Sequence, residues 1–542
     1  MSHFNRAGGF CTIGIDVGGT NTDGVLFDNS QQKVLRMVKL PTNHQNYGEA
    51  IGLLLAKLTE AFSTDKIASV NISSTLATNA ILEGRLSPAA LILIGYEDFP
   101  HIVENILKEI KPAALLCCGG GHTARGAERR PLERDKISAF AEAHRSCFFA
   151  VSSLYSTRNP EHELAAAKLL KEAGAAGISC GHETAATRLN AVRRTVTSWL
   201  NSSLMKVTAE LVMGIEKSVA ECGISAPVMF IKSDGSLVSK HWCLKYPVET
   251  VLSGPAASMR GAALLAGTGA REATVADMGG TSTDIGFIKE GRALFSEEGA
   301  RIGSYHTMVP SLEIHSEALG GDSRISIDKN GSLCIGPERV VPASRSGEGT
   351  VFTPTDALCI LGLCPGDREA SLQAAELLCE LSGGSAEELA SQVKNAVTEK
   401  LRSLLEEKAF SADRTGAGAP MKAYAGGRTG LAVPKYAEAA GATGAAAASY
   451  ELSCTVNIMR SFYDNTFRAF LPTVTLQGPA LEPLLTESRK ELASFLHNQA
   501  ALIGFTSCRC EMTEETEYLG RLRTSEGITK VILHAEIIVQ SA

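Results

Sequence analysis

Two octapeptides hold the residues best suited to chemistry. Residues 16–23 read Asp-Val-Gly-Gly-Thr-Asn-Thr-Asp and residues 277–284 read Asp-Met-Gly-Gly-Thr-Ser-Thr-Asp, identical at six of eight positions. Phosphate oxygens need donors that approach without a Cβ in the way. Gly18-Gly19 and Gly279-Gly280 offer exposed backbone N–H groups and the freedom to take positive φ. Thr20, Asn21 and Thr22, and Thr281, Ser282 and Thr283, add hydroxyl and amide donors. Asp16 and Asp277 each end a β-branched run, where a carboxylate can hold Mg2+, a hard cation that bridges and neutralises phosphate oxygens. Asp23 and Asp284 close the two phrases and are candidates to orient a water or the metal. These four aspartates are the candidate catalytic set, with Asp16 and Asp277 as metal ligands. One such phrase alone would read as a hairpin turn. Two nearly identical copies read as two grips on the phosphates of one nucleotide.

The flanking residues predict how each phrase is positioned. Thr12–Ile15 precedes the first copy and Gly24–Phe27 follows it; Ala273–Ala276 and Ile285–Ile288 flank the second. Each pattern is strand, tight glycine turn, strand. A three-strand meander is expected at Thr12–Val17, Gly24–Asp28 and Lys33–Lys39, followed by a helix over Gly48–Phe62. Further strands are expected at Ser69–Ile72, Ala89–Ile94, Cys147–Ser152 and Val228–Lys232. Asn159-Pro160-Glu161-His162-Glu163 reads as a helix start, with Asn as cap, Pro in the first turn and two acids at the positive end of the dipole. Long helices are expected over Leu189–Cys222 and from the capping box at Ser385-Ala386-Glu387-Glu388. Ala256–Ala266 is a small-residue helix, and Ala439–Ala448 reads as a helix packed closely on a sheet. Tyr424–Gly430 is a third glycine turn, in which Gly426 and Gly427 are further cofactor-binding candidates. Strands alternating with helices indicate the α/β class with mixed sheets.

Composition narrows the partners. A chain of 542 residues is too long for one core, and its net charge of −7 gives no electrostatic reason to expect nucleic acid or an anionic membrane. The longest apolar runs fall far short of the roughly 20 residues that span a bilayer. The 14 cysteines show no zinc-site spacing, and the polar start of the chain points to a cytoplasmic protein with reduced thiols. No Walker-A loop occurs. Gly177–Gly181 matches the letters of a nucleophile elbow, but a helix is expected before it and a strand from Ser179 onward, the wrong context. His122 is an acid/base candidate by type, with a surface-loop histidine as the plainer reading, and His162 reads as structural.

The three glycine turns together resemble the phosphate and adenosine elements of the actin/Hsp70/sugar-kinase superfamily. More narrowly, the chain resembles the hydantoinase A/5-oxoprolinase family. The stretches that carry this are Gly14–Asp28, Leu76–Glu83, Gly120-Gly121-His122, Asn159–Glu163, Ser233-Asp234-Gly235, Ser253–Ala257 and Asp277–Asp284. Gly320-Gly321-Asp322-Ser323 stands where the family has three glycines and a serine. The resemblance implies a two-lobed actin-like ATPase with ribonuclease H-like mixed sheets flanked by helices and a nucleotide cleft between the lobes. It implies ATP and Mg2+ as cofactors. It also implies ATP-dependent opening of a cyclic amide, such as a hydantoin, 5-oxoproline or a related lactam, through phosphorylation of the carbonyl oxygen. The partners implied are the small-molecule substrate and a second, hydantoinase B-like subunit or a homo-oligomer. Expected bounds are a first lobe at 1–190, a second at 191–480 and a small appended unit at 481–542. Two rivals remain: a small-molecule kinase on the same scaffold, and a non-catalytic ATP-binding subunit of a larger hydrolase or carboxylase complex.

Overall fold

The computed structural model describes residues 11–43, 47–184, 189–265, 272–289, 292–296, 298–329, 331–346, 351–413, 423–426, 435–460, 466–472, 474–502, 509–518 and 528–538. The chain divides into two compact units. The first comprises Met1–Gly254, Ser296–Ser311 and Ala446–Ala542; the second comprises Pro255–Phe295 and Leu312–Ala445.

In the first unit, β1 (Cys11–Val17), β2 (Asn21–Asp28) and β3 (Lys33–Pro41) form the expected antiparallel meander. Helix α1 (Tyr47–Thr59) follows, then β4 (Ile67–Ser74), which runs parallel to β1, and α2 (Leu76–Leu82). A separate parallel sheet is wound from β5 (Ala89–Ile94), α3 (Pro100–Glu109), β6 (Leu115–Cys118), α4 (Arg134–Ala143), β7 (Phe148–Ser153), α5 (Glu161–Glu172) and β8 (Gly177–Cys180). Its strand order is β6-β5-β7-β8. Helix α6 (Ala191–Glu221), capped by the Asn190 side chain, leads to β9 (Val228–Ile231) and β10 (Leu237–Ser239). The first sheet then reads β10-β9-β4-β1-β2-β3, the ribonuclease H-like order with β4 and β9 parallel to β1.

The unit boundaries depart from the expected 1–190, 191–480 and 481–542. The reason is burial. On α6, Leu211, Val212, Ile215 and Val219 share a core with Leu54, Leu55 and Leu58 of α1, while Val196, Trp199 and Leu204 join the core of β5 and β7. The last hundred residues are likewise not a small appendage. Glu451–Arg460 pairs along nearly its whole length with Ile528–Ile538 in a five-stranded sheet, and Leu237 N donates to Ser449 O at 2.9 Å.

Helix α5 opens one residue later than expected. Pro160 takes the cap position, and Asn159 Oδ1 accepts from Glu161 N at 3.0 Å. This turn buries Glu163 completely, where Oε1 accepts from Ser153 N at 2.7 Å and Oε2 meets His182 Nδ1 at 2.6 Å. Burial opposes both charges. Even so, the His182 contact holds Glu163 below the usual carboxylate range, and Glu163 holds His182 above the usual imidazole value. Glu163 stabilises the fold above its unfolded value near 4.5, and His182 does so until pH rises through its raised folded value. Between about pH 4.5 and 6.5 both contributions are present. Glu163→Gln takes the counter-ion from His182, whose side chain is 18% exposed, so denaturant melts at pH 6 should show a loss of about 3 kcal/mol.

The second unit repeats the plan of the first. β11 (Glu272–Met278) and β12 (Thr283–Lys289) form an antiparallel hairpin, and Ala423–Gly426 runs parallel to β11 as β4 runs parallel to β1. Ser385 and Glu388 form the expected capping box, with Ser385 N to Glu388 Oε2 at 2.9 Å and Glu388 N to Ser385 Oγ at 3.2 Å. The helix it opens, Ala386–Asp413, covers this sheet with Leu401 and Leu405 against Ala276, Ile285 and Phe287.

The alanine-rich helix lies at Ala440–Ala446, and its closest approach is to a helix, not a sheet as expected. It crosses the Ser253–Leu265 helix at Gly261 and Gly444. A Cβ on Gly261 would stand 1.8 Å from Ala440 O, and one on Gly444 1.8 Å from Ala257 O. Two missing side chains let two backbones touch. Gly261→Ala should therefore lower stability by about 3 kcal/mol, read as a shifted thermal melt, because backbone on both sides must move apart.

Candidate functional site

The first glycine turn is fixed by its hairpin. The β1–β2 register sets Asp16 opposite Asp23 and Val17 opposite Thr22. Gly18 N donates to Asn21 O at 3.0 Å, and a Cβ on Gly18 would stand 2.8 Å from that same oxygen. Gly19 and Thr20 are left exposed at the tip. Asp16 Oδ1 accepts from Ser73 Oγ at 2.5 Å, because parallel β4 places Ser73 beside it. Gly254 comes close as well: a Cβ there would lie 3.9 Å from Asp16 Oδ1. Asp23 faces Lys39 across the β2–β3 register, with Nζ 2.8 Å from Oδ1.

The second turn has the same construction. Asp277 pairs opposite Asp284 and Met278 opposite Thr283, and Gly279 N donates to Ser282 O at 2.9 Å. Gly426 ends its strand directly beside Asp277, and Gly427 lies outside the described residues. Here the last aspartate meets a hydroxyl where the first turn uses a lysine: Ser316 Oγ donates to Asp284 Oδ1. Burial pushes Asp284 up to about 6, the Ser316 hydrogen bond pulls the other way, and the charge of Asp277 adds to the rise. The two turns are braced by different segments: in the first, Thr42 Oγ1 donates to Gly18 O at 2.8 Å and Thr42 N to Thr20 O at 3.0 Å. In the second, Gly321 N donates to Gly279 O at 2.9 Å and Asp322 N to Gly280 O at 2.7 Å, so the 320–322 loop braces the turn from behind. A Cβ on Gly280 would come within 2.6 Å of Asp322 Oδ2. The buried Asp322 carboxylate is in turn held by Arg345 at 3.1 Å.

Two of the expected phosphate donors are corrected. Thr22 is 1% exposed and its hydroxyl is shared with Thr42 at 3.0 Å; Thr283 is fully buried and donates to Leu319 O at 2.6 Å. Strand alternation turns the seventh residue of each phrase inward, where it braces the turn. Asp23 and Asp284 are strand residues, each with a cross-strand partner. Thr75 and Asn79 bond one another at 3.1 Å, and Asn79 lies nearest the first turn, 3.5 Å from where a Gly19 Cβ would be. Thr78 accepts from Leu252 N at 2.9 Å. Ser179 lies inside β8, fully buried and bonded to Asn201 at 3.1 Å, so it is no nucleophile. The strand begins at Gly177, earlier than the expected start at Ser179.

His122 is not a surface-loop residue. It is fully buried, and burial, with His162 beside it, holds its pKa down to about 3. His162 Nδ1 accepts from Gly121 N at 2.9 Å, a structural bond. Lys39, Ser73 and Ser316 were not candidates from the sequence, and Asp322 entered only as the residue standing where the family has a third glycine. Lys39 was not fixed by the meander pattern, because unbroken pairing from Asp28–Lys33 would set Val38 opposite Asp23 and a one-residue register shift at Leu26/Phe27 brings Lys39 there instead. Ser73, Ser316 and Asp322 arrive through longer connections that no local pattern fixes.

Each turn thus offers outward donors from a rigid glycine tip, and carboxylate oxygens of the kind hard cations take. That is chemistry for phosphate with a divalent ion. Residues 12–174 match the hydantoinase/oxoprolinase N-terminal region, and residues 194–456 match hydantoinase/oxoprolinase. The alpha subunit of caprolactamase from Pseudomonas jessenii is 28% identical over 379 residues, which are 65% of this chain and 54% of that subunit. The chain therefore spans about half the length of this curated relative. The nucleotide-free structure of acetone carboxylase superposes with a TM-score of 0.72 at 18% identity, covering 98% of this chain and 88% of that one. The ATP-dependent caprolactamase of Pseudomonas jessenii superposes with a TM-score of 0.69 at 22% identity, covering 97% and 87%. These likenesses show that the chain shares the mixed α/β fold of those two enzymes. With the motifs in family order and both family regions matched, the chain belongs to the hydantoinase/oxoprolinase family.

Proposed function

We propose that this protein is an ATP-dependent amidohydrolase that opens a cyclic amide, a lactam or hydantoin-like ring, by way of a phosphorylated carbonyl oxygen. The twin hairpins carry this reading: two glycine tips with the same turn hydrogen bond and the same cross-strand aspartate pair. An unstrained amide is a poor electrophile. Transfer of the γ-phosphoryl group to its oxygen, with ADP leaving, turns that oxygen into a good leaving group. Water then adds to the carbon, the C–N bond breaks as the ring nitrogen takes a proton, and the acyl phosphate so formed is hydrolysed by a second water to the carboxylate and inorganic phosphate. The protein supplies positioning and charge neutralisation more than covalent chemistry.

In this reading the N–H groups around Gly18-Gly19 and Gly279-Gly280, with Thr20, Asn21, Thr281 and Ser282, hold phosphate oxygens. Asp16 and Asp277 hold Mg2+, which offsets the charge of the phosphates. Ser73 fixes the orientation of Asp16. Asp284, with a pKa near 6, is the carboxylate able to take a proton from water, whereas Asp23 is ion-paired with Lys39. The caprolactamase relative is named as one subunit of its enzyme. We extend that to a hydantoinase B-like partner for this chain. No helix among the described residues is long and apolar enough to cross a membrane, and we place the protein in the cytoplasm.

The test is phosphate release with Mg-ATP against a panel of lactams, hydantoins, ketones and sugars, with product analysis. Free phosphate with an opened ring is the expected result. A stable phosphorylated product would make the protein a kinase. Tight nucleotide binding without substrate-stimulated turnover would make it a non-catalytic subunit.

A further inference from the structure

The four-stranded parallel sheet of the first unit has a feature that the glycine turns do not use. Its order, β6-β5-β7-β8, means that the chain leaves β5 in one direction, toward β6, and leaves β7 in the other, toward β8. Open α/β sheets bind ligands in the crevice such a reversal creates, outside the carboxyl ends of the strands. Here the loop after β6 folds across the end of β5 to reach the loop after β7. Gly95 N donates to Cys118 O at 2.9 Å and His122 N to Leu154 O at 3.1 Å. The crossing is close enough to need glycine, since a Cβ on Gly95, whose φ is +80°, would stand 2.7 Å from Gly120 O.

That crossing carries His122 to the switch point. Both of its ring nitrogens are buried without a hydrogen-bond partner, and so are the hydroxyls of Ser153, Ser156 and Thr157 at the end of β7. His122, Ser153 and Ser156 are fully buried, and Thr157 is 4% exposed. Asn457, which donates to Thr157 O at 2.9 Å, adds an unpartnered buried Oδ1. Buried polar groups are almost always satisfied, so several together at a switch point mark a place built for something else to bond.

The charge of the surroundings selects the class of ligand. His122 is neutral. Glu161 is paired with Arg468 at 3.0 Å, and His162 Nε2 lies 3.1 Å from Glu128. Two buried charges also flank Ser153: Arg194 donates to Ser153 O at 2.9 Å and Glu163 accepts from Ser153 N at 2.7 Å, and they oppose one another. With these charges already matched, an anion or cation brought here would lose its water for little return. The unpartnered atoms include both donors and acceptors, as a neutral molecule carrying one N–H and one C=O requires. The switch point also adjoins the first glycine turn. Ala77, Ala80 and Ile81 of α2 share a core with Tyr96 and Leu154, while Thr75 and Asn79 lie toward Gly254 and Gly19. The two places are separated by one helix, about 10 Å across.

We propose that the amide substrate of the reading above is held at the carboxyl end of this sheet, between the loops after β5 and β7, by His122, the hydroxyls of Ser153, Ser156 and Thr157, and Asn457. The proposal rests on the amide reading, and its test separates the two. Calorimetry with hydantoin and δ-valerolactam is run on the full chain without nucleotide, comparing wild type with Ser156→Ala, Thr157→Val and His122→Phe. A hydroxyl that bonds nothing in the free protein can be removed without lowering stability. Ser156→Ala and Thr157→Val should therefore keep the wild-type melting temperature while weakening amide binding several-fold. His122→Phe should weaken it tenfold or more, and the His122 ring 15N resonances should shift when amide is added to wild type. Amide binding that is equal in wild type and all three variants overturns this site and leaves the amide reading intact, with ordered water as the partner of these groups. Wild type that binds no amide, with substrate-stimulated phosphate release also absent, overturns both.

Discussion

Asp277→Ala and Asp16→Ala should each cut Mg-ATP-dependent phosphate release by about 10²–10³-fold or more, with little change in the melting temperature. The two carboxylates occupy equivalent places, each last but one in its strand and opposite a second aspartate. In the proposed reading, removing either deletes a hard-oxygen ligand next to the transferring phosphate, and the second aspartate of each pair is engaged by Lys39 or Ser316. Ser73→Ala should have a smaller effect, about tenfold or less, because Asp16 keeps its charge and loses one orienting bond of 2.5 Å. Steady-state phosphate release at saturating Mg2+ and a Mg2+ titration read both. If Asp16→Ala and Asp277→Ala turn over like wild type, the metal assignment is wrong. Rescue of either by higher Mg2+ would support it.

The second large effect concerns Asp284, and here activity and stability should move in opposite directions. Its folded pKa of about 6 lies above the ordinary 3.8. The sign for stability follows: the folded state binds the proton more tightly, so the ionised carboxylate costs stability at pH values above 6 and nothing below about 4. Asp284→Asn removes that cost and can still accept from Ser316. It should raise stability at pH 7.5 by on the order of 1–2 kcal/mol, screened by its partial exposure, with no gain at pH 4. The same variant should lose most turnover, about 10²-fold or more, because proton transfer from water needs the carboxylate. Wild type should show an acidic limb in turnover centred near pH 6, falling as pH drops, and the variant's residual activity should lack it. The same limb in both would assign it to another group.

The comparison of these aspartates shows where a repeat in sequence stops being a repeat in chemistry. The octapeptides share six residues, and the hairpins share their register and turn bond. Yet one closing aspartate faces lysine and the other faces serine, because the partners come from β3 in one unit and from Ile314–Glu317 in the other. Likewise the second turn is backed by Asp322 and its arginine.

What the sequence alone determined is local. Glycine pairs between β-branched runs make a hairpin whatever surrounds them, so both turns, the meander, β5 and the Ser385–Glu388 cap were legible to within a few residues. The family was legible because its motifs are short, ordered and tied to those same turns. Tertiary structure decided what depends on distant chain meeting distant chain. It set which unit claims α6 and residues 446–542, since cores are assembled from segments far apart in sequence. It decided that the alanine-rich helix packs on a helix, since Gly261 only matters once Gly444 lies against it. It made His122 a buried neutral ring at a strand-order reversal, since the environment and not the residue type fixes an imidazole's charge. Local patterns follow from steric preferences within a few residues; burial, pKa and partnership follow from contacts that exist only after the chain has folded.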